Sequence, residues 1–399
     1  MLVDKKININ YAFFIISIYI LIFQNLLQNV IKCIQYFDEC FSLLLVPVLF
    51  FKIRKNLQND IKVKMSNFCL IILSFFILIV GIFSNVVYKY QQPKAYLIDV
   101  LLVFKFFLVY LLTQLVWGNT GFLDKYSYKI YKHTRFVLYI LFVLTIFNYI
   151  FQIWPWEYRW GIMSNKLFFE HPTILAASCM FLFALLFISN KSVKMVDATI
   201  CGIILLSTLR MKAIGTVIII AAIIFYVNKT NRKLSIAKLG ILAVLAIILA
   251  GEQISYYYLN NDGTARNQLT IKSFVIARDY FPVGTGFGTY ASYISGKNYS
   301  PIYYMYDLDN VHGLIKGYVE FVSDTFWPMI IGQFGLIGTV CYISCLILIF
   351  REIQKTFSKN NKNIYLAKIC CFVYLIIAST SESAFVHPSA IPFAIILGV

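Results

Sequence analysis

Twelve apolar stretches divide this chain, and most approach the roughly 20 residues that a helix needs to cross a bilayer. They fall at 11–27, 39–51, 67–88, 96–117, 136–154, 172–189, 193–209, 212–227, 236–256, 327–350, 364–378 and 384–399, the second and the last being short. A water-soluble core has no room for so many. Of the 399 residues 60% are hydrophobic and 13% charged, where an ordinary soluble domain carries about 25% charge. A single-core soluble enzyme is excluded on these grounds. The pattern predicts an all-α polytopic membrane protein with about 12 transmembrane helices, forming one integral domain over residues 1–399. The first stretch lacks a small-residue cleavage site with a polar exit, so it reads as a retained helix rather than a signal peptide.

Thirty-five Lys and Arg stand against 18 Asp and Glu, a net charge of +17. In a soluble protein that excess suggests nucleic acid. In a membrane protein its placement reports orientation instead. With the N-terminus in the cytoplasm, 22 of the cations fall in inner connections and 12 outside, while Lys105 lies within a span. The expected topology is therefore N-terminus inside and an even number of spans, with one long extracytoplasmic loop at 257–326. No nucleic-acid partner is expected. The nine cysteines show no CxxC or Cys/His spacing, and neither a disulfide framework nor a metal site is predicted.

The long loop is rich in Tyr, Phe, Ile and Gly, unlike a disordered linker. Its stretch 264–280 reads as a helix, with Thr264 as N-cap and Pro282 as stop. The run Pro282-Val-Gly284-Thr-Gly286-Phe-Gly288 lacks the preceding strand of a nucleotide-binding fingerprint. A tight structural turn is expected there.

A few charges break the orientation pattern. Arg210 and Lys212 lie in a short turn between two helices on the predicted outer side. They either snorkel to lipid phosphates or bind an anionic substrate, for which the planar guanidinium is well suited. Lys105 sits mid-span, with Asp99 on another helix face; it either pairs with a different helix or contacts a ligand. Arg159 lies in the tryptophan-rich segment 154–160, where Trp154 and Trp156 read as an aromatic belt. His171 before Pro172 marks a helix start. Asp307, Asp309, His312, Glu320 and Asp324 gather in the second half of the long loop, each a possible general base or a solvated side chain.

Four elements in order now resemble a known family. Arg159-Trp-Gly161 with His171-Pro172-Thr173 resembles an R-x-G…P-N/T element. Leu209-Arg210-Met-Lys212-Ala213 resembles an S-R-x-A element opening a helix. Arg266, followed by Phe281 to Tyr290, resembles R…P-l-f-G-v-G-f-G-x-y. Asp324-Thr-Phe-Trp327 with Gly332, Gly335 and Gly338 resembles D/H-x-x-W/Y…G-l-i-G. Spanning about residues 159–338, this order is similar to the O-antigen polymerase and ligase superfamily.

The resemblance implies a GT-C-like helical fold and a glycosyltransferase. Such an enzyme transfers a glycan from undecaprenyl diphosphate onto a lipid-linked repeat unit at the outer face of the bacterial cytoplasmic membrane, with no metal or other cofactor. It also implies partners: undecaprenyl diphosphate-linked oligosaccharides, membrane lipid, a chain-length regulator and other polysaccharide-assembly proteins. Arg210 and Arg266 correspond to the family arginines that hold the diphosphate. Asp324 stands 11 residues before Gly335, where ligases and many polymerases carry His, and His312 lies 12 residues further back. The resemblance is thus to polymerases of capsule and exopolysaccharide clusters. Arg210, Arg266, Asp324 and His312 are the candidate catalytic residues, Asp324 preferred over His312 beside the acceptor hydroxyl. Arg159, Lys212, Arg278, Tyr290, Glu320 and Lys105 are the candidate substrate contacts. Two rivals remain: an O-antigen ligase, which would use the same arginines, and, in another class, a polysaccharide flippase or secondary transporter, which twelve spans fit but the single large loop, the lack of repeat symmetry and the outer arginines oppose.

Overall fold

A computed structural model describes residues 9–55, 64–118, 122–188, 193–235, 238, 240, 263–358 and 362–399, and among them the chain is mostly helical. The first part comprises α1 (Ile9–Ile22), α2 (Gln24–Leu27), a 3-10 turn at Lys32–Tyr36 and α3 (Phe37–Lys55). Three long helices follow: α4 (Met65–Tyr88), α5 (Pro93–Val116) and α6 (Phe122–Phe151). A two-stranded hairpin, β1 (Tyr158–Arg159) and β2 (Ile162–Met163), precedes α7 (Pro172–Ile188), α8 (Met195–Ser207) and α9 (Met211–Thr230). Then come α10 (Ala265–Asp279), the short α11 (Tyr293–Lys297) and α12 (Pro301–Met305), α13 (Trp327–Lys355), α14 (Lys362–Ala378) and α15 (Ala390–Gly398).

Among the described residues, six helical stretches of 20 to 29 residues are long and apolar enough to cross a membrane: Lys32–Phe51, Met65–Tyr88, Pro93–Val116, Lys125–Phe151, Met211–Thr230 and Trp327–Lys355. At 1.5 Å per residue, 20 residues span about 30 Å, the thickness of the hydrocarbon layer. α4 shows which solvent these helices face. Its inward side mixes the small or polar Asn67, Gly81, Ser84 and Asn85 with Leu70, Ile77 and Val80. Its outward side carries Ile71, Phe75, Ile79 and Phe83, each about half exposed. A continuous outer face of large apolar side chains suits lipid rather than water, and the chain is a membrane-embedded protein.

The count of 12 spans is not confirmed among the described residues. The stretches at 172–189 and 193–209 form helices of only 17 and 13 residues. α7 is buried on every side from Leu175 to Ile188, and a helix enclosed by protein need not match the bilayer in length. α14 is enclosed in the same way from Tyr365 to Leu375. The terminal stretch at 384–399 begins as turns around Pro388, and only Ala390–Gly398 is helical. The stretch at 236–256 lies outside the described residues, apart from Lys238 and Gly240.

The 264–280 helix forms as α10. The Thr264 hydroxyl accepts the Asn267 N–H at 3.4 Å, and Pro282 follows the last turn. The glycine-rich run is a structural turn wrapped around a break in α13. Gly335 leaves the helical region (φ 57°, ψ −156°). The turn satisfies the freed backbone groups: Thr285 and Gly286 donate to the carbonyls of Gly332 (3.1 Å) and Gln333 (2.8 Å), and Ile337 donates to that of Pro282 (3.2 Å). Gly284 has φ +74°, and a Cβ there would lie 2.5 Å from the Gly335 nitrogen. Two buried side chains close the other side of the turn. Asn85 exchanges two hydrogen bonds with Phe287, and Asp99 accepts the Gly288 N–H at 2.7 Å. The turn therefore ties α4, α5 and α13 together beneath the residues described next.

Candidate functional site

A cavity of about 1640 Å³ lies between α5, α9, the start of α10 and the connections flanking α7, α13 and α15. Seven sequence-predicted residues line it: Arg210, Lys212, Arg266, Asp324, Arg159, Glu320 and Lys105. They come from segments far apart in the chain.

Arg210 is the N-cap residue of α9 and sits in extended conformation after a left-handed Leu209 (φ 49°). This sharp turn brings the guanidinium back toward the hairpin. The loop of the hairpin is Trp160-Gly161, both at positive φ (50° and 75°), the geometry of a two-residue β-turn whose twist matches its strands. It docks on the end of α8, where Asn165 N–H donates to Ser207 O at 2.9 Å and the Ser164 hydroxyl to Thr208 O at 2.7 Å. Glu157 is thereby held between two cations, its Oε1 lying 2.7 Å from Arg210 Nη2 and 2.9 Å from Arg159 Nε.

His171 completes the Arg210 surroundings. Its Nε2 lies 3.2 Å from Arg210 Nη2. A guanidinium only donates, so Nε2 accepts from Arg210, while Nδ1 meets the Thr173 hydroxyl at 2.8 Å and the Thr173 backbone N–H at 3.3 Å. Burial, reinforced by the Arg210 and Lys212 charges, pushes His171 down to about 4. The ring is neutral at neutral pH. Trp156 packs edge-on against it, centroids 5.7 Å apart, so this tryptophan is part of the site wall.

Lys212, one residue into α9, pairs with Glu382 in the turn after α14. It lies within electrostatic range of both Arg210 and Arg266. Arg266, in the first turn of α10, donates to Asp324 at 2.9 Å. Burial raises the Asp324 carboxyl above its usual range, against the opposing pull of Arg266. Four cations thus converge with three carboxylates. Each cation is only 10–25% exposed and already has an anionic partner. Such a set can receive an oxyanion if the internal carboxylates give way, with paired donation from the guanidinium forks.

Lys105 lies deeper and is built differently. It is 1% exposed and pairs with both Asp38 and Glu39 of α3, the latter at 3.2 Å. Gln24 supports Asp38 with a 2.8 Å hydrogen bond. Asp99 is engaged with the glycine turn instead, in keeping with its place on another face of α5.

Three candidates fall outside the cavity. Tyr290 is fully buried, and its hydroxyl donates to Leu269 O at 2.6 Å, a packing role in the core. Arg278 is 77% exposed and binds its neighbour Asp279. His312 is exposed and packs against the rings of Tyr318 (5.1 Å) and Phe321 (5.9 Å). Glu320 lines the cavity and accepts from the Tyr318 hydroxyl at 3.2 Å. Glu157, Glu382, Asp38, Glu39 and His387 were not singled out from sequence. One signal was present: His171-Pro172-Thr173 recurs as His387-Pro388-Ser389, and both histidines line the cavity. A scan against protein-family models and a search of curated proteins found nothing that matches this chain.

Proposed function

We propose that this protein is a membrane glycosyltransferase that polymerises lipid-linked repeat units, using Arg210, Arg266 and Lys212 to hold the diphosphate of an undecaprenyl carrier. The observation that carries this reading is the convergence of those three cations, from the starts of α9 and α10, on one cavity wall. As the anomeric bond breaks, negative charge develops on the departing diphosphate. Fixed guanidinium and ammonium donors at the membrane edge stabilise it more than water would. Glu157, Glu382 and Asp324 hold the cations apart until substrate arrives.

In this reading the apolar segments complete 12 spans in the bacterial cytoplasmic membrane, with the N-terminus in the cytoplasm. Residues 257–326 face outward, where a chain-length regulator and other assembly proteins are reached. The test is chain extension by the purified protein supplied with undecaprenyl diphosphate-linked repeats. Extension that disappears in Arg210→Ala and Arg266→Ala, at normal protein levels, supports the reading. Unchanged product length in both variants sinks it. In cells lacking the protein, accumulation of single lipid-linked repeats marks a polymerase, whereas accumulation of long undecaprenyl-linked chains marks a ligase.

A further inference from the structure

The cations that line the cavity fall into two sets. Arg159, Arg210, Lys212, Arg266 and Lys105 each hold a carboxylate. Lys94 and Lys297 line the same cavity, both exposed, and among the described residues neither forms an ion pair.

The fold brings these two lysines to one end of the cavity. Lys94 stands in the first turn of α5, where the helix dipole disfavours a cation, so its own helix gains nothing from it. Lys297 closes α11. The Gln91 side chain, just before α5, donates to the Asn298 carbonyl, just after α11, at 2.9 Å. α11 is held in turn by reciprocal capping between Ser292 and Ser295. Both ammoniums are therefore presented from a fixed junction.

Their surroundings suit a sugar. Tyr293 lines the cavity, is 60% exposed, and has its ring centroid 5.7 Å from Lys297 Nζ. Such an exposed ring can lie on the C–H face of a pyranose, with its hydroxyl left free to hydrogen-bond. Gln92 and Asn298, also exposed and lining the cavity, offer amide donors and acceptors to sugar hydroxyls. Two carboxylates belong to the same part of the wall. Asp99 is buried and accepts the Gly288 N–H. Glu320 accepts from the Tyr318 hydroxyl, in a segment whose Val319 lies against Gly296 of α11. With Asp99 so engaged, two ammoniums against Glu320 leave one positive charge, the complement of a single carboxylate.

We propose that this end of the cavity is the glycan subsite, and that Lys94 and Lys297 select a repeat unit carrying an acidic sugar, with a carboxylate of the hexuronic-acid kind. This rests on the glycan-transfer reading above. The guanidinium forks serve the diphosphate. The ammoniums, compact charges on flexible stems, follow a carboxylate on a mobile sugar. Remote from the bond that breaks, they contribute to binding and therefore to KM. An anionic lipid headgroup can present the same charge, and the test separates the two sources.

The experiment uses the full-length protein in phosphatidylcholine nanodiscs and the lipid-linked repeat that accumulates in cells lacking the protein. The repeat is supplied in native form and after carboxyl reduction, which turns a uronic acid into the neutral hexose. For the wild type, reduction is expected to raise KM about tenfold at similar kcat, the scale of two exposed ion pairs. Lys94→Gln/Lys297→Gln is expected to raise KM for the native repeat to that same value, to leave the reduced repeat unaffected, and to melt like wild type. A native repeat without a carboxylate, or an unchanged KM in the double variant, overturns the proposal. An effect equal for native and reduced repeats that grows when phosphatidylglycerol is added assigns the lysines to lipid headgroups and overturns it as well. Arg210→Ala, run alongside, keeps the two readings apart. Wild-type extension by that variant overturns the transferase reading, whereas its inactivity beside an unaffected double variant removes the acidic-sugar assignment alone.

Discussion

The cavity contains two charged groups built on opposite principles. Around Arg159, Arg210, Lys212 and Arg266, four cations share the three carboxylates of Glu157, Glu382 and Asp324, and each cation is still partly exposed. Around Lys105, one ammonium faces two carboxylates in the middle of the helix packing and is almost wholly enclosed. The first arrangement leaves positive charge for a ligand. The second consumes its own charge, so its cation locks α3 to α5. A buried pair is costly to break, because the orphaned partner has no solvent to turn to. The comparison teaches that depth and charge balance, more than residue type, separate a binding cation from a structural one.

The sharpest way to break the comparison is Arg210→Ala. It should lower chain extension by about 100- to 1,000-fold, while the melting temperature in detergent stays put. Lys105→Ala should do the reverse in kind, costing about 3–5 kcal/mol of stability by stranding Asp38 and Glu39, read as a large fall in melting temperature. Equal stability losses in the two variants would erase the distinction. Arg266→Lys sharpens it: charge is retained and the fork is lost, so extension should be intermediate between wild type and Arg266→Ala.

His171 offers a pH test. Its folded-state value of about 4 lies below the ordinary 6.5. The unfolded chain therefore binds the extra proton first as pH falls, and stability should decline from about pH 6.5 downward, levelling off only below about 4. His171→Asn should flatten that slope in melting curves taken at several pH values. Arg278→Ala, on an exposed residue outside the cavity, should change neither extension nor melting.

Local signals were the legible ones. Thr264 and Pro282 bound α10 because a cap and a ring constraint act within a few residues. The glycine turn was readable as a turn, though not its partners. Arg210 and Lys212 stood out because they violate the orientation bias, a property of the whole chain that one sequence can display. Pairings across helices were not legible. Nothing at Lys105 points to Asp38, 67 residues away, since only the packing of α3 on α5 brings them together. Span counting meets a related limit. Hydropathy measures how apolar α7 is, not whether lipid or protein surrounds it.

Glu157 has one further consequence. Its single carboxylate oxygen serves both Arg159 and Arg210, so it behaves as a tethered competitor, present at a fixed and high effective concentration. A small monoanion drifting into the cavity offers no more than the glutamate already supplies, and gains nothing by replacing it. A group bearing several negative oxygens can engage both guanidinium forks at once and displace it. The glutamate thus sets a threshold of charge and valency below which the site stays closed to the anions of ordinary saline.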